Sequence, residues 1–280
     1  MLKGKGEMRE DKIPRKENDV PNKGRGGRRM NGWIIAPITV IILLLAVAAG
    51  VTFWKNSRGG KMLTYNLSEP LNGAKSARVD VNAGTGNLTI GRLTGGEQVL
   101  ASGTLQYFES QGLPARTLKA SNGQAVLTLS LGGTGRPGFR FPWDACRGGA
   151  YEWQIQLNPT VSSDITAHSD GGNVKLDLAG MAITRVSADT GGGNIDVVLP
   201  NNAANLSVTA KTGAGNAAVQ VPDGIAARVH ATTGLGKVIV GPRFNKIDSN
   251  TYQSPDYDDA TDGVEITLSS GAGNVSVITK

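Results

Sequence analysis

The residues best suited to chemistry in this 280-residue sequence are acidic side chains near its C-terminus. They are Asp256, Asp258, Asp259, Asp262 and Glu265. Carboxylates bind Ca²⁺, and an EF-hand loop starting at Asp258 would place Asp262 and Gly263 at its fifth and sixth positions. However, Ala260 stands at the third position, and Ser269 at the twelfth, where a bidentate glutamate belongs. We therefore expect a solvated loop here and no metal site.

Acid–base catalysis would need two titratable groups that converge. Asp177 and Asp196 lie on successive repeats and could be neighbours, which would suit an enzyme acting on cell-envelope polysaccharide. His168 and His230 fall on predicted strands, where we expect ordinary sheet side chains. The sequence has no nucleophile elbow, no H-E-x-x-H motif and only one cysteine, Cys146. It predicts no catalytic residue and no cofactor, and the polysaccharide enzyme remains the alternative.

The aromatic residues are concentrated in one part of the chain. Of the eleven beyond residue 61, seven lie between Tyr107 and Trp153. Residues 136–143 interleave aromatic side chains with arginine and proline. Such a cluster can cap the end of a repeat fold, as terminal repeats require, or it can bind sugar rings or a protein. We expect the cap, and the ligand surface remains open.

A repeated glycine phrase indicates the elements that position these side chains. The residue after its last glycine recurs at intervals of 21, 22, 21 and 37 residues from Asn173 onward, and a fixed period indicates a repeat fold. The phrases are Gly84-Thr85-Gly86-Asn87, Gly171-Gly172-Asn173, Gly191-Gly192-Gly193-Asn194, Gly213-Ala214-Gly215-Asn216, Gly234-Leu235-Gly236-Lys237 and Gly271-Ala272-Gly273-Asn274. The interval of 37 indicates one unit plus an insertion of roughly fifteen residues. The 86 residues between Asn87 and Asn173 are close to four periods.

Period-2 apolar runs flank each phrase and predict two half-buried strands per unit. The predicted fold is therefore all-β, a β-solenoid of stacked 21–22-residue two-strand rungs with glycine corners. Residues 62–160 form its N-terminal or capping part and residues 161–280 its regular repeats. Since corners often need positive φ, we expect Gly193→Val to cost more than about 1 kcal/mol. A phosphate loop is disfavoured because strands, not helices, follow the phrases, and a calcium nonapeptide at 191–196 is disfavoured because its period is nine.

The positive charge of the chain is concentrated at its N-terminus. The net charge is +6, and residues 1–31 carry ten lysines and arginines against five acidic residues. The remainder is nearly neutral, which leaves no basic face for nucleic acid. We expect residues 1–31 to form a disordered basic tail.

An uncharged segment of 23 residues, 32–54, predicts one transmembrane helix in contact with the lipid bilayer. Trp33 and Trp54 stand at its two ends, and the basic excess before it predicts a cytoplasmic N-terminus. Residues 55–61 would be a linker, and residues 62–280 would lie outside the cell membrane. A signal peptide cleaved after Ala48 is the alternative.

Several segments resemble a known family. Residues 152–159, 174–181, 191–197 and 257–277 are similar to the toast-rack or putative-adhesin β-solenoid domains of bacterial envelope proteins. These include the C-terminal domains of cell-wall-active antibiotic response proteins. The resemblance covers most of residues 62–280 and is strongest from 151 onward. It implies a bacterial, non-enzymatic domain outside the cytoplasmic membrane, although the antibiotic response members tend to have several spans.

The expected function is that of a single-pass, membrane-anchored binding module, either adhesin-like or part of an envelope-stress response. Its expected partner is an envelope protein or glycan, and the sequence does not identify ligand-binding residues. The chain ends on a predicted strand at 275–279, so self-association through this C-terminal edge strand is a further possibility.

Overall fold

The computed structural model describes residues 61–95, 98–131 and 151–280. The predicted tail and span, nearly all of the linker, the aromatic stretch 136–143 and Cys146 lie outside these residues. Within them the chain forms β-strands and one short 3₁₀ helix, Glu109–Gln111, which confirms the all-β prediction. No helix in these ranges is long and apolar enough to cross a membrane.

The strands alternate between two sheets along most of the chain. Their bounds are β1 Met62–Pro70, β2 Ser76–Asn82, β3 Asn87–Arg92, β4 Val99–Phe108, β5 Ala115–Ser121, β6 Gln124–Ser130, β7 Glu152–Leu157, β8 Ser162–Ser169, β9 Val174–Asp177, β10 Ile183–Thr190, β11 Ile195–Val198, β12 Ser207–Ala214, β13 Ala217–Val221, β14 Ala227–Leu235, β15 Val238–Val240, β16 Asn245–Lys246, β17 Thr251–Gln253, β18 Val264–Ala272 and β19 Val275–Thr279. The nine-stranded sheet has the order β1-β4-β7-β3-β9-β11-β13-β19-β15. The ten-stranded sheet has the order β16-β17-β14-β18-β12-β10-β8-β2-β6-β5.

In the part of the chain that the structure describes, seven rungs make up the stack, each with one strand in the ten-stranded sheet and the next strand of the chain in the nine-stranded sheet. In spatial order they are β6/β7, β2/β3, β8/β9, β10/β11, β12/β13, β18/β19 and β14/β15. Neighbouring rungs pair in parallel in both sheets. The predicted two-strand rungs are therefore present, and the β2/β3 rung extends the regular stack into the part predicted as the cap.

The spatial order of the rungs differs from their order in the sequence at both ends. Between residues 87 and 173 the described chain adds one rung, β6/β7, and the antiparallel strands β4 and β5, so the interpretation as four periods was wrong. Near the C-terminus, β18/β19 lies between β12/β13 and β14/β15. The C-terminal strand β19 therefore pairs on both sides, with β13 and β15, and the prediction that it is an uncovered edge was wrong.

The core lies between the two sheets, because alternate side chains of every rung point inward. In the β10/β11 rung the inward side chains are Val186, Ala188, Ile195 and Val197, all buried. A fully buried aliphatic side chain contributes about 1.5–3 kcal/mol. Each rung therefore depends on its neighbours to cover this apolar row.

Aromatic side chains fill the core at the β6/β7 end of the stack. Tyr151 and Trp153 are fully buried, and Phe108 meets the Tyr151 ring edge-on at 6.0 Å between centroids. The Tyr151 hydroxyl donates to the Ala83 carbonyl at 2.7 Å, and Trp153 Nε1 donates to the Gln106 carbonyl at 2.9 Å. These three aromatic side chains thus belong to the core at this end of the stack, whereas the stretch 136–143, on which the cap prediction also depends, lies outside the described residues.

Candidate functional site

The glycine phrases lie at the corners where each rung passes from the ten-stranded to the nine-stranded sheet. In spatial order, the last glycines of these phrases, here called the corner glycines, are Gly86, Gly172, Gly193, Gly215, Gly273 and Gly236. A Cβ on Gly193 would lie well inside 3 Å of the Gly172 carbonyl oxygen, and each later glycine meets its predecessor similarly. Gly215 has a φ of 151°, but Gly193 does not have a positive φ. The positive-φ reason given for Gly193 was therefore wrong, and close approach between corners is the physical cause.

Hydroxyl groups hold these corners together, a feature that the sequence reasoning missed. Thr190 Oγ1 donates to the Gly172 carbonyl and Thr212 Oγ1 to the Gly193 carbonyl, both at 2.8 Å. In five of the six corners, the residue three positions before the corner glycine is a serine or threonine. They are Ser169, Thr190, Thr212, Ser270 and Thr233. Their regular spacing before the glycines was the signal that could have identified them.

An asparagine ladder runs along the same corners. Asn173 Oδ1 accepts the main-chain N–H of Asn194 at 2.9 Å, and Asn194 Oδ1 accepts that of Asn216 at 2.8 Å. The ladder continues through Asn274 and ends at Lys237, whose N–H donates to Asn274 Oδ1 at 3.0 Å. The corner side chains thus bind neighbouring rungs, so the phrases hold the fold together.

The two candidate catalytic aspartates are not directly opposite each other. Both lie exposed on the nine-stranded sheet, on the adjacent strands β9 and β11. Asp196 lies opposite Lys175, whereas Asp177 lies opposite Val198. They are therefore diagonal neighbours on adjacent strands rather than a directly opposed pair.

The two histidines lie on the outer face of the ten-stranded sheet. His168 Nδ1 lies 2.6 Å from Asp189 Oδ1, and its Nε2 lies 3.1 Å from Asp170 Oδ1. Partial burial lowers the pKa of His168, but hydrogen bonds and attraction from both carboxylates outweigh it, so this pKa lies above its ordinary value. Both ring nitrogens are engaged with carboxylates. His230 is exposed on β14, opposite Thr267.

The four aspartates of the acidic run lie in the loop between β17 and β18, and its glutamate, Glu265, lies on β18. Arginines contact three of the five, and Arg228 lies 3.9 Å from Glu265. Asp256 lies 3.4 Å from Arg243, and Asp258 lies 3.4 Å from Arg228. The Ser254 hydroxyl and Arg243 hold the pKa of Asp256 below its usual value. Among the residues that the structure describes, no three His, Cys, Asp or Glu side chains are arranged to hold a metal ion.

Two cavities open beside this loop. One, of about 500 Å³, is lined by Tyr257, Asp258 and Glu265, and another, of about 330 Å³, by Asp256, Asp259 and Asp262. The Tyr257 hydroxyl donates to Glu265, which raises the pKa of Tyr257. The Arg228 guanidinium covers one part of the ring at 4.4 Å, and a Cβ on Gly263 would meet the ring edge at 2.6 Å. Arg228 thus occupies one face of the half-buried ring, and that face cannot stack on a sugar while Arg228 stays there.

The outer face of the ten-stranded sheet carries a line of hydroxyl groups, here called the outer hydroxyl row. Thr166, Ser187, Thr209 and Thr267 lie directly opposite one another on β8, β10, β12 and β18. All four are at least partly exposed, and neighbouring strands are about 4.8 Å apart. Asp80 extends the row on β2. Each hydroxyl can donate and accept a hydrogen bond, so the row can bind a polar ligand along its length. Each hydroxyl stands between two buried apolar residues in the sequence, a pattern that could have predicted the row but was missed.

Comparison with known proteins supports this architecture. A family model described as the N-terminal domain of toast_rack, DUF2154, matches residues 57–220. The crystal structure of a putative cell adhesion protein from Clostridium sporogenes aligns with a TM-score of 0.69 and 23% identity, covering 79% of this chain and 100% of that one. A putative adhesin from Bacteroides fragilis aligns over 79% of this chain and 99% of that one, with 12% identity and a TM-score of 0.29. No curated protein matches the chain.

The Clostridium structure is similar in fold to this chain, and at 23% identity the similarity extends to the fold alone. The family match covers more than half of the chain and agrees with the resemblance seen in the strand and corner sequences. The protein belongs to the toast-rack family.

Proposed function

We propose that this protein is a single-pass membrane protein whose β-solenoid lies outside the cell membrane and acts as a non-enzymatic, adhesin-like binding module. The uncharged segment 32–54 and the basic tail before it support the anchor and its orientation. Membership of the toast-rack family and the name of the Clostridium protein support the binding role. An envelope glycan is the proposed ligand.

The outer hydroxyl row is the observation that carries this proposal. A glycan presents hydroxyl groups at regular intervals, and a flat row of threonine and serine side chains can bond to several of them at once. Each such bond contributes only about 1 kcal/mol net. Binding by such a row would therefore depend on several rungs acting together, as expected for an adhesin-like surface.

A pull-down of the full chain in detergent with insoluble cell-wall glycan tests the binding role. We expect the wild-type chain to sediment with the glycan and a Thr166→Val, Thr209→Val double variant to lose most of this binding. Valine keeps the shape of threonine and removes only the hydroxyl. Thr89→Val on the nine-stranded sheet is the matched control and should still bind. If the wild-type chain stays in solution, or if both variants bind equally, the proposal is wrong.

Cysteine labelling in intact cells tests the orientation. In a Cys146→Ser background, we expect Asn250→Cys to react with a membrane-impermeant maleimide, because Asn250 is exposed on the solenoid. Asn18→Cys in the tail should react only after the cells are permeabilised. The reverse pattern would overturn the proposed topology.

A role in an envelope-stress response is compatible with the same location, and its partner would then be an envelope protein. Capture of the full chain from crosslinked membranes, followed by identification of its partners, separates the two. Recovery of a membrane protein that still binds the Thr166→Val, Thr209→Val variant would favour the stress-response role over glycan binding.

A further inference from the structure

Strand β15 leaves one edge of the nine-stranded sheet open. Among the described residues, β15 (Val238–Val240) pairs only with β19, whereas its partner in the rung, β14, is covered by β17 and β16. The Lys237 carbonyl accepts from Val275 N, and Gly241 N donates to the Val277 carbonyl, so both face β19. Since these groups alternate along a strand, Val238 and Val240 direct their N–H and C=O groups away from the sheet. The open edge thus presents two donors and two acceptors.

The side chains on this edge differ from those at the same positions in interior rungs. Leu235 pairs in register with Ala272, and Ile239 with Ser276. Leu235 is 76% exposed and Ile239 52%, and Ile278 on the neighbouring strand is 44% exposed. At these two positions the terminal rung thus carries large apolar side chains, whereas the adjacent rung carries the small Ala272 and the polar Ser276. An exposed apolar edge strand is a site for pairing with another chain.

The segments of this chain outside the described residues are poorly placed to cover the edge. Residue 61 precedes β1, which is eight strand positions from β15, or about 38 Å at 4.8 Å per strand. This step rests on the proposed function, because an anchor at 32–54 leaves only residues 55–60, which span roughly 20 Å when extended. Residues 132–150 connect β6 and β7 and would have to reach about 29 Å out and the same distance back. That round trip would use almost the full extended length of these 19 residues and leave only about two or three to lie along β15, which favours a partner from another molecule.

The corner of the terminal rung determines which orientation such a partner can take. Each interior corner offers an asparagine Oδ1 to the N–H of the next rung, but the terminal corner has Lys237, which is a donor only. A further rung stacked in parallel would lack this acceptor. An antiparallel strand has no corner next to Lys237, so it does not need the missing side-chain acceptor.

We propose that two copies of this chain pair antiparallel through β15, about a twofold axis at Ile239. In this register Val238 lies opposite Val240 of the other copy, and their outward N–H and C=O groups form four hydrogen bonds. Ile239 lies against its own counterpart as a non-hydrogen-bonded pair, with Cα atoms about 4.5 Å apart. Lys237 lies opposite Gly241, so the two ammonium groups do not face each other. The contact is self-complementary, as a twofold interface requires.

Disulfide crosslinking of the full chain in detergent, in a Cys146→Ser background, tests the register. Ile239→Cys should form a covalent dimer on oxidation, because a Cα separation of about 4.5 Å is within disulfide range. Ser276→Cys is the matched control, since it lies one strand inward and should remain monomeric. Equal crosslinking of both variants, or none in either, would overturn the proposal.

Light scattering of the full chain provides a second measurement. Ile239→Lys places like charges at the axis, and we expect it to weaken dimerisation at least about tenfold, or 1.4 kcal/mol, while circular dichroism stays unchanged. A monomeric wild-type chain, or an unaffected dimer in a folded Ile239→Lys variant, would overturn the pairing.

The two proposals can fail separately. Thr166→Val with Thr209→Val should dimerise normally, because these residues lie on the other sheet. Ile239→Lys should still bind glycan as a monomer, although with lower avidity.

Discussion

Gly193→Ala is the sharpest test of how the corners work. The new Cβ would lie well inside 3 Å of the Gly172 carbonyl oxygen, a distance that real Cβ atoms do not adopt. The obstacle is main chain of the neighbouring rung, so no side-chain rotation can relieve it. The two rungs must separate locally, and the corner hydrogen bonds must lengthen.

The size of this effect follows from what the separation disrupts. Overpacking a close-packed site by one methyl group costs about 1–3 kcal/mol. The Thr190 hydroxyl bridges the same two corners, donating to the Gly172 carbonyl at 2.8 Å and accepting from Gly193 N at 3.2 Å. Weakening this bridge adds about 1 kcal/mol. We expect a loss of about 2–4 kcal/mol, or a decrease in Tm of roughly 5–15 °C for a domain of this size.

Thermal unfolding followed by circular dichroism measures this loss, and the preceding glycine supplies the control. Gly192 belongs to the same phrase, but its Cβ would have only the Gly171 Cα, at 4.0 Å, as a neighbour. Gly192→Ala should therefore change stability by less than about 0.5 kcal/mol. Equal effects of the two substitutions would refute the close-approach argument.

Asparagine separates the steric cause from a conformational one. It tolerates positive φ better than other non-glycine residues, so it would recover stability if φ were the reason for the glycine. Because Gly193 lacks a positive φ, Gly193→Asn should be at least as unstable as Gly193→Ala. Recovery in the asparagine variant would show that the corner adopts a different backbone conformation.

Three further changes test the ladder, the cap end and the titratable histidine. Asn194→Ala removes the acceptor of Asn216 N–H and should cost about 1 kcal/mol in urea unfolding, whereas Asn194→Asp should retain most of the stability because it keeps an acceptor. Glu69 is only 3% exposed, and its carboxylate lies 2.6 Å from the Arg116 guanidinium. Arg116→Ala leaves this buried charge without a partner, so Tm should fall. Adding Glu69→Gln should recover part of the lost Tm, and no recovery would contradict this reasoning. The pKa of His168 is raised in the folded protein, so its contribution to stability is present below its ordinary value of about 6.5 and is lost as pH rises through the folded value. Unfolding measured against pH should therefore show the wild type losing stability relative to His168→Gln as pH increases, and parallel curves would contradict it.

Much of the fold could be predicted from local patterns. The strands and corners from residue 161 onward follow from the 21–22-residue period and from alternating apolar residues such as Val186 and Ala188. The corner hydroxyls could not be recognised as such, because a serine or threonine before a glycine is common in any turn. Their role becomes visible only when Thr212 is seen to donate to Gly193 one rung away. The outer hydroxyl row also depends on register, since Thr166 and Ser187 are 21 residues apart in the chain and neighbours in the sheet.

The order of the rungs was harder to predict, because every interior corner offers its neighbour the same contacts. A rung with glycine, hydroxyl and asparagine at its corner can stack on any other such rung. The sequence period therefore predicts the residues that form a rung but not the position of that rung in the stack. This is why β18/β19, which carries Asn274, can lie between two rungs that precede it in the chain.

One residue in the sequence nevertheless distinguishes the terminal rung. An interior rung must accept a main-chain N–H from the next corner, and Asn216 and Asn274 do so. Lys237 lacks an acceptor, so its rung can receive a neighbour on one side only. The rung with lysine therefore belongs at the end of the stack, and the rung with Asn274 belongs inside it. Lys237 stands where the interior corners have asparagine, so the asparagine ladder ends at this rung and β15 remains an open edge. The order of the rungs is thus linked to the proposed pairing of two copies.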